Sequence, residues 1–267
     1  MFKHCITLLS LGTLLVGQPR EINFGGGPHQ REYSTGLKCI SEEERTFVRE
    51  HRIEIDHESM RDTVLFQDPM GNGGMMNLND SVRHHIWNFV DQNSAVGWIL
   101  DYNCSFVTYD GHQGTDVVIG GFYYMDEMET PIVAAAPGIV TYTHDGEFDR
   151  RTSWINGAVA NGVIVSHSDG TSAWYWHMKT NSVAVIAGDT VEIGDTLGFV
   201  GSSGFSTGAH LHFEVEGAGG NFIDPWEGQC GDGPSRWVDQ LPFIGDTNIY
   251  EPNLLNQLTT SYPVNNS

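Results

Sequence analysis

The sequence predicts a mainly β fold: an antiparallel β-sheet domain preceded by a mixed N-terminal extension. Three observations carry that expectation. Between about residues 105 and 226, short apolar runs alternate with turns rich in Gly and Asp. No long stretch there has the 3.6-residue period of a helix, and the runs do not alternate with helices as βαβ units would. The pair Asp169-Gly170, inside SHSDGT, separates two of the runs as a hairpin turn does.

Taken in order, strands are expected over 116–120, 132–135, 138–144, 162–167, 172–177, 196–201 and 210–215. Upstream, the pattern is mixed. Ser41 followed by Glu44 forms a capping box for a helix through Phe47 and His51. Residues 25–37 (GGGPHQREYSTGL) read as a linker and 70–76 (MGNGGMM) as a loop. Val82, Ile86 and Val90 are four apart, the spacing of a short amphipathic helix over 80–90. Past Cys230 the chain is polar with scattered aromatics and reads as a tail, frayed over 251–267.

Residues 1–17 (MFKHCITLLSLGTLLVG) have a short basic start and an apolar run over 5–16. A bilayer span needs about 20 apolar residues, so this run fits a signal peptide, removed on export. No later run reaches that length, so stable membrane insertion is not expected. Of the four cysteines, Cys5 lies in the signal. Cys39, Cys104 and Cys230 then allow one bridge and one free thiol. Cys104–Cys230 is the preferred pair because these two bracket the β-rich segment, leaving Cys39 free. Without a CxxC motif, a thiolate zinc site is not expected.

The chain has 267 residues, 13 basic against 34 acidic, and a net charge of -21. Nucleic-acid binding needs clustered cations to neutralise phosphates, and an anionic membrane would repel such a surface. Both partners are excluded. At 39% hydrophobic and 11% aromatic, the chain can instead bury a sizeable core.

The chemistry lies in the histidines. His112 and Asp116 stand in GHQGTD, His177 ends AWYWHM, and His210 and His212 stand in HLHFEV. In a strand, residues two apart share a face about 7 Å apart, so His210 and His212 point the same way while Leu211 and Phe213 turn to the core. Two imidazoles, a carboxylate and an open fourth position make the usual catalytic zinc pattern. Spacing alone leaves either His210 or His212 as the ligand. Taken singly, HxH and HxxxD are weak signals; together and in order, each beside an apolar strand, they are specific.

These segments resemble the lysostaphin-type (LytM-like) zinc endopeptidases, which cut peptide cross-bridges of bacterial peptidoglycan. PIVAAAPGIV (131–140) and GDTVEIGDTLGFVGSSGFSTG (188–208) extend the resemblance, which covers roughly residues 105–226. It implies one Zn2+ per chain, with His112, Asp116 and His212 as ligands and His177 and His210 as the catalytic pair. With the readings above, the expected organisation is a signal peptide (1–17), an N-terminal extension or propeptide (18–99), a zinc metallopeptidase domain (100–230) and a tail (231–267). The implied enzyme is bacterial and exported, periplasmic or secreted. Its substrate would be peptidoglycan peptides or a Gly-rich peptide or protein. The acidic charge departs from basic wall-binding relatives, and no basic wall-targeting module is visible. A non-catalytic binding protein on the same fold is the rival reading, but such relatives lose ligands, and here all five residues are present.

Other features carry less. GFVGSSG (198–204) has the glycine spacing of a phosphate loop but no Lys and no following helix, so it reads as a flexible loop beside the cleft. Glu214 shares the face of His212 and either orients it or forms a salt link. Trp174, Tyr175 and Trp176 suit a core better than a substrate groove, and His167 suits a structural role. Nothing in residues 18–99, His84 and His85 included, carries obvious chemistry.

Overall fold

The computed structural model describes residues 39–55, 62–71, 85–127 and 129–240. The signal-peptide segment, the 25–37 linker and most of the 70–76 loop lie outside them. Ten strands and two helices occur among the described residues: α1 (Glu42–His51), β1 (His85–Asn88), β2 (Thr115–Val118), α2 (Phe122–Glu127), β3 (Pro131–Val133), β4 (Gly138–His144), β5 (Gly162–Ser166), β6 (Ser172–Trp176), β7 (Thr190–Val191), β8 (Thr196–Phe199), β9 (His210–Glu216) and β10 (Phe222–Ile223). Every pairing between strands is antiparallel. The main sheet runs β1-β2-β9-β6-β5-β4-β7, with β10 also on β9, and β3 and β8 form a separate ribbon. The fold is therefore mainly antiparallel β, as the turn-punctuated apolar runs indicate.

The seven expected strands all form, β4 with its expected bounds and the others with ends displaced by one or two residues. The Asp-Gly signal marks the β5–β6 hairpin, whose register pairs Ser166 with Ser172. Gly170 takes the left-handed conformation there, at φ 81°, which glycine adopts without a Cβ clash. α1 starts on its expected cap: the Ser41 hydroxyl accepts from the Glu44 amide at 3.0 Å.

One element differs in type. Residues 85–88 form a strand rather than part of a helix, with Ile86 opposite Val117 on β2. Only Ile86 and Asn88 are buried, an alternation that a strand edge makes. The four-residue spacing of Val82, Ile86 and Val90 is thus no helical face across 85–90, and residues 80–84 lie outside the described set.

Alternation divides β9 between two faces. Leu211, Phe213 and Val215 enter a large core with Val117, Val163, Val165, Tyr175 and the β3–β8 ribbon. His210, His212, Glu214 and Glu216 face the other way. That second face carries its own apolar cluster of Tyr142, Ala160, Ile164, Trp174 and Trp176, closed by Ile40 and by Val48 of α1. Trp174, Tyr175 and Trp176 are core residues, fully buried on both faces.

The packed body extends on both sides of residues 100–230. Phe66, Met70, Ile86 and Phe89, upstream of residue 100, are buried in the large core. Downstream, Trp237 packs there too, and Phe66 bridges its backbone, so residues 231–240 belong to the packed body; 241–267 lie outside the described residues. Cys104 and Cys230 form a disulfide, Cα atoms 5.2 Å apart, and Cys39 is a buried free thiol.

Asp224 accepts from the Gln92 side chain at 2.6 Å and the Trp226 amide at 3.1 Å. Burial, with Asp101 and Asp232 nearby, pushes its carboxyl up to about 7. The folded chain then holds a proton that the unfolded chain releases near the ordinary value of about 3.9, so this group's contribution falls as pH rises from about 4 to 7. Asp224→Asn is expected to raise Tm at pH 8, by roughly 5 °C, and to leave it nearly unchanged at pH 4. Thermal unfolding by circular dichroism at the two pH values checks this.

Candidate metal centre and active site

The register of β2 on β9 places Asp116 directly opposite His212, and the register of β6 on β9 places Trp176, next to His177, on the other side of His212. His112 comes from the loop before β2. All five residues singled out in the sequence meet on one face of the sheet, each no more than 2% exposed.

Three atoms converge most closely. His112 Nε2 is 3.1 Å from Asp116 Oδ1 and 3.2 Å from His212 Nδ1, and His212 Nδ1 is 2.9 Å from Asp116 Oδ1. The other ring nitrogens decide the tautomers. His112 Nδ1 must donate to the Phe89 carbonyl, 2.7 Å away, because a carbonyl can only accept. His212 Nε2 faces the Glu214 carboxylate at 3.3 Å, which leaves lone pairs on both inward nitrogens. Burial pushes the Asp116 carboxyl up, but His112, His212 and His210 hold it well below its ordinary value. With the outer nitrogens carrying their protons, His112 Nε2, His212 Nδ1 and Asp116 Oδ1 converge as three potential ligand atoms in a buried site. Zinc with ligands at about 2.0–2.1 Å spaces them about 3.3 Å apart, close to what is seen. The donor set fits a divalent metal.

His177 and His210 stand beside this trio with ring centroids 4.6 Å apart. Each ties its Nδ1 to a carbonyl, His177 to Ser203 at 2.7 Å and His210 to Gly208 at 2.8 Å. Both Nε2 atoms face inward; that of His210 is 3.7 Å from Asp116 Oδ1. His177 is held at φ 66°, a left-handed conformation costing a β-carbon residue about 1–2 kcal/mol. The 198–204 segment, together with the residues up to Gly208, is an ordered shelf that holds both rings. Ser202, Ser203 and Ser206 are fully buried, and a Cβ on Gly201 would lie 2.4 Å from the Lys179 amide nitrogen.

Three contributors were not found in the sequence. Asn88 on β1 donates to Asp116 Oδ2 at 2.9 Å, freeing Oδ1 to face the histidines. Tyr109 stacks on His112 with centroids 4.3 Å apart. Cys39, from the extension that seemed chemically silent, puts its Sγ 3.0 Å from His177 Nε2. Its Sγ and ligand atoms of Asp116 and His212 lie within 4.8 Å of one another. Glu214 fulfils both of its expected roles: it contacts His212 and takes a two-pronged salt link from the buried Arg45, each oxygen 2.7 Å from a guanidinium nitrogen. His167 is structural, bonded to the Pro137 carbonyl at 2.8 Å.

Residues 111–225 match Peptidase family M23. This segment is an M23 peptidase domain. Over 95 residues the chain is 34% identical to the DD-carboxypeptidase/endopeptidase Mpg of Neisseria meningitidis, covering 36% of this chain and 19% of that protein. Over 131 residues it is 27% identical to the glycyl-glycine endopeptidase ALE-1 of Staphylococcus capitis, covering 46% of this chain and 31% of that one. The chain therefore spans between a fifth and a third of these relatives' lengths. The catalytic domain of the prophage-encoded M23 protein EnpA from Enterococcus faecalis aligns at 28% identity and a TM-score of 0.34, over 51% of this chain and 88% of that one.

Within the M23 domain, Gly114 makes room for the His212 ring. A Cβ there would lie 2.7 Å from His212 Cε1 and 2.6 Å from the Phe213 carbonyl oxygen. The backbone cannot yield, so the ring must. Gly114→Ala is expected to weaken metal binding about 10- to 100-fold, read by competition with a metal indicator.

Proposed function

We propose that the chain is an exported, zinc-dependent endopeptidase that hydrolyses peptide bonds in the cross-bridges or stem peptides of peptidoglycan. His112, Asp116 and His212 would hold the zinc; His177 and His210 would do the proton chemistry. The observation that carries this reading is the meeting of three potential ligand atoms at 2.9–3.2 Å with two further imidazoles turned toward them. The rival, a binding protein on the same fold, gives no reason to bury five such groups together. The names of Mpg and ALE-1 support the substrate class, ALE-1 pointing to Gly-containing bonds. The apolar run at 5–16 and the Cys104–Cys230 disulfide support an oxidising compartment outside the cytoplasm. No described helix is long and apolar enough to cross a membrane.

Zinc bound here would supply a Lewis acid that acidifies water and polarises a scissile carbonyl. The residues around it do the rest. One of the His177–His210 pair takes the water's proton through Nε2 and returns it to the leaving amine; the other, protonated, donates to the developing oxyanion. Their carbonyl anchors at Ser203 and Gly208 keep each Nε2 turned inward, so neither ring must reorient between steps. Glu214, charged through Arg45, keeps His212 in the tautomer whose Nδ1 faces the metal position.

The test is release of new amino termini from purified peptidoglycan by zinc-loaded protein, intact and after limited proteolysis of its N-terminal region. Release that a chelator abolishes is expected. No release from either preparation, with zinc bound, overturns the reading.

A further inference from the structure

The site is closed. His112, Asp116, His177, His210 and His212 are all essentially without solvent exposure, so none of them is presented to a substrate in solution. What closes it is the segment 39–53. Ile40 and Val48 fill the apolar cluster over Trp174 and Trp176. Glu44 accepts from the Ala160 amide at 2.9 Å and from the Trp176 indole at 3.1 Å. Arg45 clamps Glu214, and Arg52 reaches Glu216 at 2.8 Å. The Ile53 amide donates to the Thr141 carbonyl at 2.9 Å. These anchors span β4 to β9 and hold the turn before α1 over the histidines.

At that turn stands Cys39, 6% exposed. Its Sγ belongs to two overlapping donor groups, with Asp116 and His212 and with His177 and His210. Catalytic zinc sites keep one position open for water or substrate, whereas sites with four protein ligands are closed. Three ligands from the M23 domain leave such a position. We propose that Cys39 supplies the fourth, inhibitory metal ligand, and that residues 39–53 form a plug keeping the peptidase latent until the thiolate is withdrawn. The inference rests on the metal centre proposed above. It adds a ligand from outside residues 111–225 and a reason for the burial. The thiolate blocks the reaction twice, by filling the metal position and by occupying the space in front of His177 Nε2, where a substrate group would have to lie.

The test uses the full chain and cobalt in place of zinc, because thiolate bound to cobalt gives an intense charge-transfer band in the near ultraviolet. Wild-type protein should bind about one cobalt per chain and show the band; Cys39→Ala should bind about one and lack it. Alkylation of Cys39, followed by peptide mass spectrometry so that Cys5 is not counted, supplies a second readout in unmutated protein. Bound metal should slow it at least about tenfold relative to chelator-treated protein. Stoichiometric cobalt without the band, a band that survives Cys39→Ala, or alkylation indifferent to metal overturns the plug while leaving the metal centre standing. Failure of wild type and variant alike to bind cobalt overturns both.

Discussion

His210→Ala is expected to keep the metal and lose hydrolysis, by about a hundred- to ten-thousand-fold. The separation of these two effects follows from position. His210 Nε2 is 3.7 Å from Asp116 Oδ1, outside the trio whose separations are 2.9–3.2 Å. Its ring is fixed by the Gly208 carbonyl and lies against His177. Removing it deletes a proton acceptor or donor without deleting a ligand. The variant is compared with wild type in whichever preparation, intact or proteolysed, is active. Unchanged metal content with undiminished release of amino termini would remove His210 from the mechanism; loss of the metal would make it a ligand instead.

Asp116→Ala is expected to lose both. Asp116 Oδ1 lies within 3.1 Å of both His112 Nε2 and His212 Nδ1, and Asp116 carries the only formal negative charge of the three proposed ligands. Without it, two imidazoles and the Asn88 amide face a gap, and a dication in a dry site has no anion from the trio to offset its desolvation. Zinc content should fall from about one per chain to near zero, with hydrolysis falling to background. Asp116 lies on the face opposite the large core, so circular dichroism should still report a folded sheet. Zinc retained at full stoichiometry in Asp116→Ala would contradict the assignment of this carboxylate.

The strands were legible because Gly and Asp turns punctuate short apolar runs and because β9 alternates strictly between core and site. The same alternation makes His210 and His212 neighbours from the sequence alone, and GHQGTD places a carboxylate where β2 can bring it opposite. β1 was misread because three apolar residues four apart fit a helix, although the buried-exposed rhythm of His85–Asn88 is that of a strand. The serine loop at 198–204 looked loose because its composition is that of a turn; its order comes from Lys179, Asn161 and His177, contacts that no local pattern encodes. Cys39 was the least legible. It lies 138 residues from His177, and a single cysteine has no spacing to read. Its one local signal is its place just before the capped start of α1, a helix whose Arg45 and Arg49, with Arg52 at its C-cap, match the acidic Glu214 and Glu216 at the far end of β9.

The most direct test of the account is the metal content of the purified, remetallated full chain, read by native mass spectrometry. The account predicts a folded chain carrying about one zinc, removable by chelation. A chain that stays metal-free after exposure to zinc would contradict it, because His112, Asp116 and His212 would then not be metal ligands.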